Sequence, residues 1–414
     1  MSASGMKSML LQAWQTWRPA MSQGGVPIAR RDRVAEAMLG FGVFWTIAGV
    51  LLTPTMKFYY TMVALFVYLP ALWLVVARRA ELGRLIVERR EMWLFLALFA
   101  WANLSLLWAV GDFDRLSRVK QSSLFVLLVC GWLLWALASE SRLRGTLVLL
   151  GVVNSLYCLA ALLWAPAYAP GRLNGFGGFL DNPNAAAYAT GFLLVMALPL
   201  RPTRRSWWLA WLLLQLPPLV YVGLCGSRGA LLALMVTAVF CLVLLPGWRK
   251  RLAALAVLAG GAALFCLEPS LMARGDSERL ELLRSALPIL REHFWAGVGY
   301  GTTYEVQGWA GGYHGSTHNF LLHTALQYGI PALLVWLVLW AMLGLRAWRS
   351  RHTQLGLALL LLWVYASVAM QFDVFSLWER TRAMWLMPWG VFLLGLSLKR
   401  PAAAGQAGGE LNRR

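Results

Sequence analysis

Twelve mainly apolar runs of membrane-spanning length follow one another along this 414-residue chain. They lie near 37–53, 58–77, 92–110, 123–138, 146–166, 183–200, 206–225, 229–246, 252–269, 329–345, 355–371 and 383–398. A run of about 20 such residues crosses the hydrocarbon core as a helix. In that medium a helix satisfies its own backbone, which few other structures can do. The expected fold class is therefore an all-α integral membrane protein with about 12 transmembrane helices. Composition agrees, with 59% hydrophobic and 13% charged residues, against about a quarter charged in a soluble chain. Asn182 and Asn184 stand at the start of the sixth run, and Pro217–Pro218 should kink the seventh.

Lys and Arg set the orientation. With the N-terminus inside, 25 of the 37 fall on the inner side and every inner connection carries at least two. The distribution predicts cytoplasmic N and C termini and an even number of spans. The organisation read on this basis is an inner segment 1–36, spans one to nine over 37–270, a large outer (periplasmic) loop with short helices over 271–328, spans ten to twelve over 329–398, and an Ala/Gly-rich inner tail, 399–414, expected to be disordered. The first span is expected to act as an uncleaved signal, because no short apolar core with a small-residue cleavage site precedes it. The net charge of +19 is scattered in short clusters between apolar runs, which argues against nucleic acid as a partner. Cys130, Cys158, Cys225, Cys241 and Cys266 sit in or beside apolar stretches without CxxC spacing, so neither disulfides nor a zinc site is expected.

Twelve cations remain on the outer side: Lys57, Arg115, Arg118, Lys120, Arg172, Arg228, Arg274, Arg279, Arg284, Arg291, Arg380 and Arg382. Solvated loop charge accounts for many such residues. Arg228 is harder to place so, because Cys225-Gly226-Ser227-Arg228-Gly229 is too tight a turn to lift a guanidinium far from the membrane. Several arginines at one face suit phosphate or pyrophosphate, whose oxygens match the planar guanidinium fork. Ahead of the sixth span, Arg172 and a Gly-rich approach lead to Asp181-Asn182-Pro183-Asn184; Asp181 or Asn182 should cap the helix, with Pro183 in its first turn. Asp112 and Asp114 read as solvated, or paired with Arg115 and Arg118.

In the long loop, a short helix is expected from Asp276 or Ser277, with Leu280, Leu283, Leu287 and Leu290 near one face and Pro288 interrupting it. Arg279 lies one position off that stripe and is compatible with either face. Gly297-Val298-Gly299-Tyr300-Gly301 precedes His314 and Ser316-Thr317-His318-Asn319. Ser316 or Thr317 is a natural N-cap for a helix from Phe320 to Tyr328 that ends at Gly329 before Pro331. His318 would then occupy the first turn, where the helix dipole favours a neutral ring able to accept a proton. His323 lies about 140° round the helix from His318, so helical spacing does not make the two a metal pair.

Together these residues resemble the O-antigen ligase family, whose domain is shared with O-antigen polymerases and O-linked oligosaccharyltransferases. The resemblance rests on Arg172 with Asn182-Pro183-Asn184-Ala185, on Gly226-Ser227-Arg228-Gly229, on Glu278-Arg279-Leu280 and on Pro288 to Gly301. Its most specific part is Ser316-Thr317-His318-Asn319 followed by Gln327-Tyr328-Gly329-Ile330-Pro331, with Gln327 standing where the family usually has an acid. The resemblance covers most of 37–398. It implies a GT-C-like glycosyltransferase of the Gram-negative inner membrane that acts on the periplasmic side. The donor would be O-antigen on undecaprenyl pyrophosphate and the acceptor a sugar hydroxyl of the lipid A-core, both met among membrane lipids. Catalysis would be inverting, with His318 as general base and Arg228 and Arg279 on pyrophosphate. Arg172, Arg118 and Asn319 are lesser binding candidates. No cofactor and no metal are expected. An O-antigen polymerase is the nearest alternative. A twelve-helix transporter is the alternative from another class, but neither repeated halves nor charges deep in many spans are visible.

Overall fold

The computed structural model describes residues 30–53, 55–165, 167–169, 171–202, 204–244, 246–267, 279–308, 312–373, 376–378 and 381–398. Residues 1–29, the tail, the expected helix start at Asp276 or Ser277, and Arg274, Glu278 and Arg380 lie outside these residues. The described chain is mostly helical, and a helix falls on each of the twelve expected runs. Among the described residues, six helices are long and apolar enough to cross a membrane, and six more are shorter apolar helices.

Helix α1 is Arg30–Leu52. A second span runs through α2, Met56–Val63, a π-turn at Ala64–Tyr68 and α3, Leu69–Ala77. The short α4, Arg79–Glu88, links it to α5, Arg90–Leu104. Next come α6, Arg115–Ala138, and α7, Glu140–Trp164. A small hairpin, β1 (Ala167–Ala169) and β2 (Arg172–Leu173), leads to α8, Pro183–Ala197. Every residue of α8 from Ala186 to Ala197 is buried, as expected of a Gly/Ala-rich helix that lets its neighbours approach closely. It forms the centre of the bundle, packed against α7.

The expected kink at Pro217–Pro218 takes the form of a break at Gln215, between α9 (Trp208–Leu214) and α10 (Leu216–Leu224). Prolines in a helix interior remove amide donors and clash with the preceding turn. After α11 (Arg228–Leu244) and α12 (Trp248–Leu267), the long loop holds α13, Arg279–Glu292. Pro288 does not interrupt α13, contrary to expectation. The turn it perturbs, around the exposed Arg284, faces outward where water can meet a released carbonyl. The packed face also differs from the expected stripe. Leu282 and Ala286 are buried, with Ile289 and Leu290 beside them, while Leu280, Leu283 and Leu287 stay exposed.

A second hairpin, β3 (Val306–Gln307) with β4 (Tyr313–His314), precedes α14, Phe320–Ser350. The expected break at Gly329 is present as a residue with φ 80 and ψ 169. A Cβ there would stand 2.2 Å from the Trp295 carbonyl oxygen, so both the left-handed backbone and the space require glycine. The loop docks on this break: Val298 N donates to Leu326 O at 2.8 Å and Gly299 N to Gln327 O at 3.0 Å. Gln327 returns its side-chain amide to the carbonyls of Gly299 and Thr302. A carboxylate has no proton to give these oxygens, which explains the amide at this position. The bundle closes with α15, Gln354–Ala369, and a span running through Ala383–Trp385, a π-turn at Leu386–Gly390 and α16, Val391–Ser397.

At the end of the bundle where α1 starts, buried ion pairs tie helices together. Glu36 meets Arg78 at 2.6 Å and Arg142 at 3.4 Å, and Glu91 meets Arg346 at 2.6 Å. Arg142 also donates to Trp135 O, and Arg346 to Gly395 O. Removing one partner of a buried pair leaves an uncompensated charge. Glu36→Ala is therefore expected to cost about 3 kcal/mol, read as a lowered midpoint of thermal unfolding in detergent. An unchanged midpoint would show that these pairs do not hold the bundle.

Candidate functional site

The described helices leave a cavity of about 770 Å³ at the opposite end. Its wall includes His318, Asp373, Arg118 and Arg382, with Asp181, Asn182 and Asn184 from the approach to α8. Asp114, Ser117 and Gln121 enter from the start of α6, and Met56 and Tyr60 from α2. The N-terminal turns of α2, α6 and α8 and of the span starting at Ala383 thus border one space, and His318 brings the start of α14 to it. The helix dipoles add partial positive charge there.

His318 is not in the first helical turn. Asn319, rather than Ser316 or Thr317, caps α14, accepting from Leu322 N at 2.9 Å. His318 stands before the cap with φ 50, in the left-handed region. The competing cap explains the difference: Asn319 Nδ2 also donates to Gln371 Oε1 at 3.1 Å, which ties the helix start to the end of α15. Phe320 N donates to Met370 O at 2.8 Å and completes the tie. The imidazole Nδ1 then lies 3.6 Å from Asp373 Oδ1, within ion-pair range but beyond a hydrogen bond. The Asp373 side chain is 14% exposed and that of His318 39%, so the imidazole is open to solvent while the carboxylate is sheltered. The His314 ring lies 6.2 Å from that of His318. His323 is buried against the Tyr304 hydroxyl instead.

Arg118 lies over two rings, 6.0 Å from the centroid of Phe113 and 5.7 Å from that of Tyr300. Burial pushes the Tyr300 phenol up to about 12, against the opposing pull of Arg118, so it stays neutral. Arg279 lies 5.0 Å over the Phe372 ring, with Nη2 3.4 Å from the Phe372 carbonyl oxygen. It therefore sits next to the residue that precedes Asp373. Arg228 opens α11, and its neighbour Gly229 packs against Tyr188 and Phe372. Arg172 donates to Cys225 O and to Asn184 Oδ1, both at 2.9 Å, and so braces the Arg228 turn against the start of α8. Asn182, not Asp181, caps α8, accepting from Asn184 N at 2.8 Å. Asp114 caps α6 through Leu116 N at 3.0 Å.

The cavity wall thus unites His318 and Arg118, while Arg279 packs on Phe372, next to Asp373, and Arg228 opens the helix whose Gly229 lies against Phe372. Asp373 was missed by sequence reasoning. Its signal was available: it is the lone charged residue between His352 and Glu379, placed just beyond the outer end of a span. Arg382 was counted among the outer cations but not singled out. Cys130, Cys158 and Cys225 are buried free thiols, as expected, and Cys241 is half-buried. Among the described residues, no group of three or more His, Cys, Asp or Glu could hold a metal ion.

These features define a helical membrane protein with a polar, charge-bearing cavity at one end of its bundle. The family model described as O-Antigen ligase matches residues 212–337. The chain is also 28% identical over 336 residues to the O-antigen ligase of Pseudomonas aeruginosa, covering 77% of this chain and 80% of that protein. The resemblance read from the motifs is thereby supported: this chain is similar to O-antigen ligases, both in the matched domain and over most of its length. A chain from the structure titled "Structural coordination of polymerization and crosslinking by a peptidoglycan synthase complex" aligns with a TM-score of 0.43 and 21% identity, over 76% of this chain and 98% of that one.

A Cβ at Gly229 would fall 1.9 Å from Tyr188 Oη and 3.1 Å from Phe372 Cβ. Gly229→Ala is expected to lower stability by about 1–3 kcal/mol and to displace the Arg228 turn. Adding Tyr188→Phe, which removes the clashing oxygen, should restore part of the loss. Denaturation midpoints of the single and double variants check this, and no recovery in the double variant would refute it.

Proposed function

We propose that this protein is a glycosyltransferase that moves O-antigen from undecaprenyl pyrophosphate onto a sugar hydroxyl of the lipid A-core. In this reading all twelve helical runs span the inner membrane of a Gram-negative cell, with both termini cytoplasmic and the 271–328 loop periplasmic, in a GT-C-like arrangement. The observation that carries the reading is His318, 3.6 Å from the sheltered Asp373, on the wall of a cavity shared with Arg118. The similarity to O-antigen ligases supports this choice of substrates.

The chemistry follows from what pyrophosphate needs. It is already a good leaving group, so the protein must hold it, offset its developing charge and activate a hydroxyl. Asp373 faces Nδ1 of His318 and favours the tautomer with its proton there, which leaves Nε2 to take the acceptor proton. The hydroxyl oxygen attacks the anomeric carbon as the bond to the pyrophosphate oxygen breaks, and the anomeric centre inverts. The carboxylate stabilises the imidazolium that forms. Arg228 and Arg279 offset the charge on the departing pyrophosphate, with Arg118 and Arg172 as further contacts. Asn319 orients the histidine loop through its cap and its bond to Gln371.

His318→Ala should lower kcat by about 10²–10⁴-fold while the protein still inserts and elutes as wild type; unchanged transfer would remove the proposed base. Asp373→Asn should fall in the same direction by a smaller factor. Transfer is expected to survive exhaustive EDTA treatment, and loss restored only by added metal would overturn metal independence. The lipopolysaccharide ladder of a deletion strain tests the reaction itself. Core without O-antigen alongside accumulated lipid-linked polymer is the expected result, whereas core bearing a single repeat would make the protein a polymerase.

A further inference from the structure

We infer that Arg382 is a substrate-binding residue that contacts the donor's diphosphate beside Arg118, at the entry of the lipid tail into the cavity. The inference rests on the proposed lipid-diphosphate donor and assigns a part of the site that the motifs did not reach. Arg118 and Arg382 are the arginines on the cavity wall, which they share with His318 and Asp373. Two guanidinium forks bordering one space match the several oxygens of a diphosphate.

The backbone around Arg382 is fixed before any ligand arrives. Tyr60 Oη donates to Thr381 O at 3.2 Å, and Trp385 N donates to Arg382 O at 3.0 Å. Just upstream, Gln121 Nε2 and Tyr300 Oη both donate to Trp378 O, at 2.9 and 2.8 Å. The Trp378 ring itself is buried among Phe95, Phe125 and Trp389. Such anchoring costs nothing further at binding, which is the advantage of a preformed site. Partial burial also pulls the Arg382 guanidinium below its ordinary value, against the opposing effect of Tyr60. Its charge persists, because arginine stays protonated in proteins.

The neighbours decide which substrate meets this arginine. Met56 and Tyr60 lie four residues apart on α2, and with Ala383 and Met384 they make the part of the wall around Arg382 mainly apolar. Met56 is itself exposed, and along α2 and the turns after it Phe58, Leu65, Leu69 and Leu72 are exposed on the face turned away from the cavity, so this one helix stands between the cavity and the surface that a membrane helix presents to lipid. This side suits a polyprenyl chain entering from the bilayer with its diphosphate first. Asp114, Asp181, Asn182 and Asn184 offer hydrogen bonds suited to sugar hydroxyls instead. A phosphorylated acceptor lipid has the same phosphate chemistry, so the test separates donor from acceptor.

The experiment uses the full-length protein in detergent with a lipid-linked O-antigen donor and a lipid A-core acceptor. Arg382→Gln should raise the donor KM tenfold or more with the acceptor KM unchanged. Arg382→Lys keeps the charge without the fork and should fall between, and it carries the test if the Gln variant fails to elute as a single species. A rise confined to the acceptor KM, or no change in either, overturns the assignment. If the wild type transfers nothing, the proposed function fails, and binding is then read directly. Undecaprenyl pyrophosphate should raise the unfolding temperature of the wild type more than undecaprenyl monophosphate does, and Arg382→Gln should abolish the difference. Equal shifts in wild type and variant overturn the assignment in that case as well.

Discussion

Hydrocarbon offers a peptide group no partner, and that constraint organises this molecule. Each apolar run must close its own hydrogen bonds as a helix, so irregular backbone and unpaired polar chemistry are driven to the helix ends. A chain that passes back and forth then starts every second helix at the same end. The starts of α2, α6 and α8 and of the last span border the cavity for this reason, and that of α14 is joined to it through His318. The electrostatic character of the site is thus partly a product of topology, because several N-terminal dipole ends face one space before any arginine is added. Caps moderate the effect, since Asp114, Asn182 and Asn319 each satisfy an amide of their own helix.

The two ends of the bundle use charge differently. At the end where α1 begins, Glu36 and Glu91 are buried and paired with Arg78, Arg142 and Arg346, and Arg142 and Arg346 also donate to the backbone carbonyls of Trp135 and Gly395. Such buried pairs fix which helices are neighbours and offer little to a ligand. At the cavity end, Asp114 caps a helix, Asp373 is the partner of a histidine, and Asp181 lines the wall with Arg118 and Arg382. Arg172 shows the intermediate case. Its donors are taken by Cys225 O and Asn184, so it shapes the site by holding the Arg228 turn against α8.

What the sequence disclosed followed the range of the interactions involved. Apolar runs are local, and so are the break at Gly329, the disturbance at Pro217–Pro218 and the capping of α8 next to Pro183; all were legible. Competition between neighbouring caps was not. Ser316, Thr317 and Asn319 are all good caps, and Asn319 wins through Gln371, which lies 52 residues away. The approach of Asp373 to His318 spans 55 residues and has no periodicity to betray it. For α13 two apolar faces are available, because Leu280, Leu283 and Leu287 share one as plausibly as Leu282 and Ala286 share the other, and it is the second that packs inward. Tertiary packing against Val298, Tyr304 and Leu326 decided between them.

The backbone at His318 ties these threads together. A non-glycine residue at φ 50 is uncommon, though histidine tolerates it better than most, and it persists only where the surroundings over-determine it. Here they do. Thr317 Oγ1 donates to Asn319 O at 3.2 Å, Asn319 is held at both ends of its amide, and Phe320 N is committed to Met370 O. A histidine one residue further on, inside the first turn, would lie along the helix surface and compete with the cap. Placed before the cap in the left-handed conformation, the ring swings out of the helix start and reaches both Asp373 and the cavity. The local strain is therefore what turns the imidazole away from the helix start and toward Asp373 and the cavity.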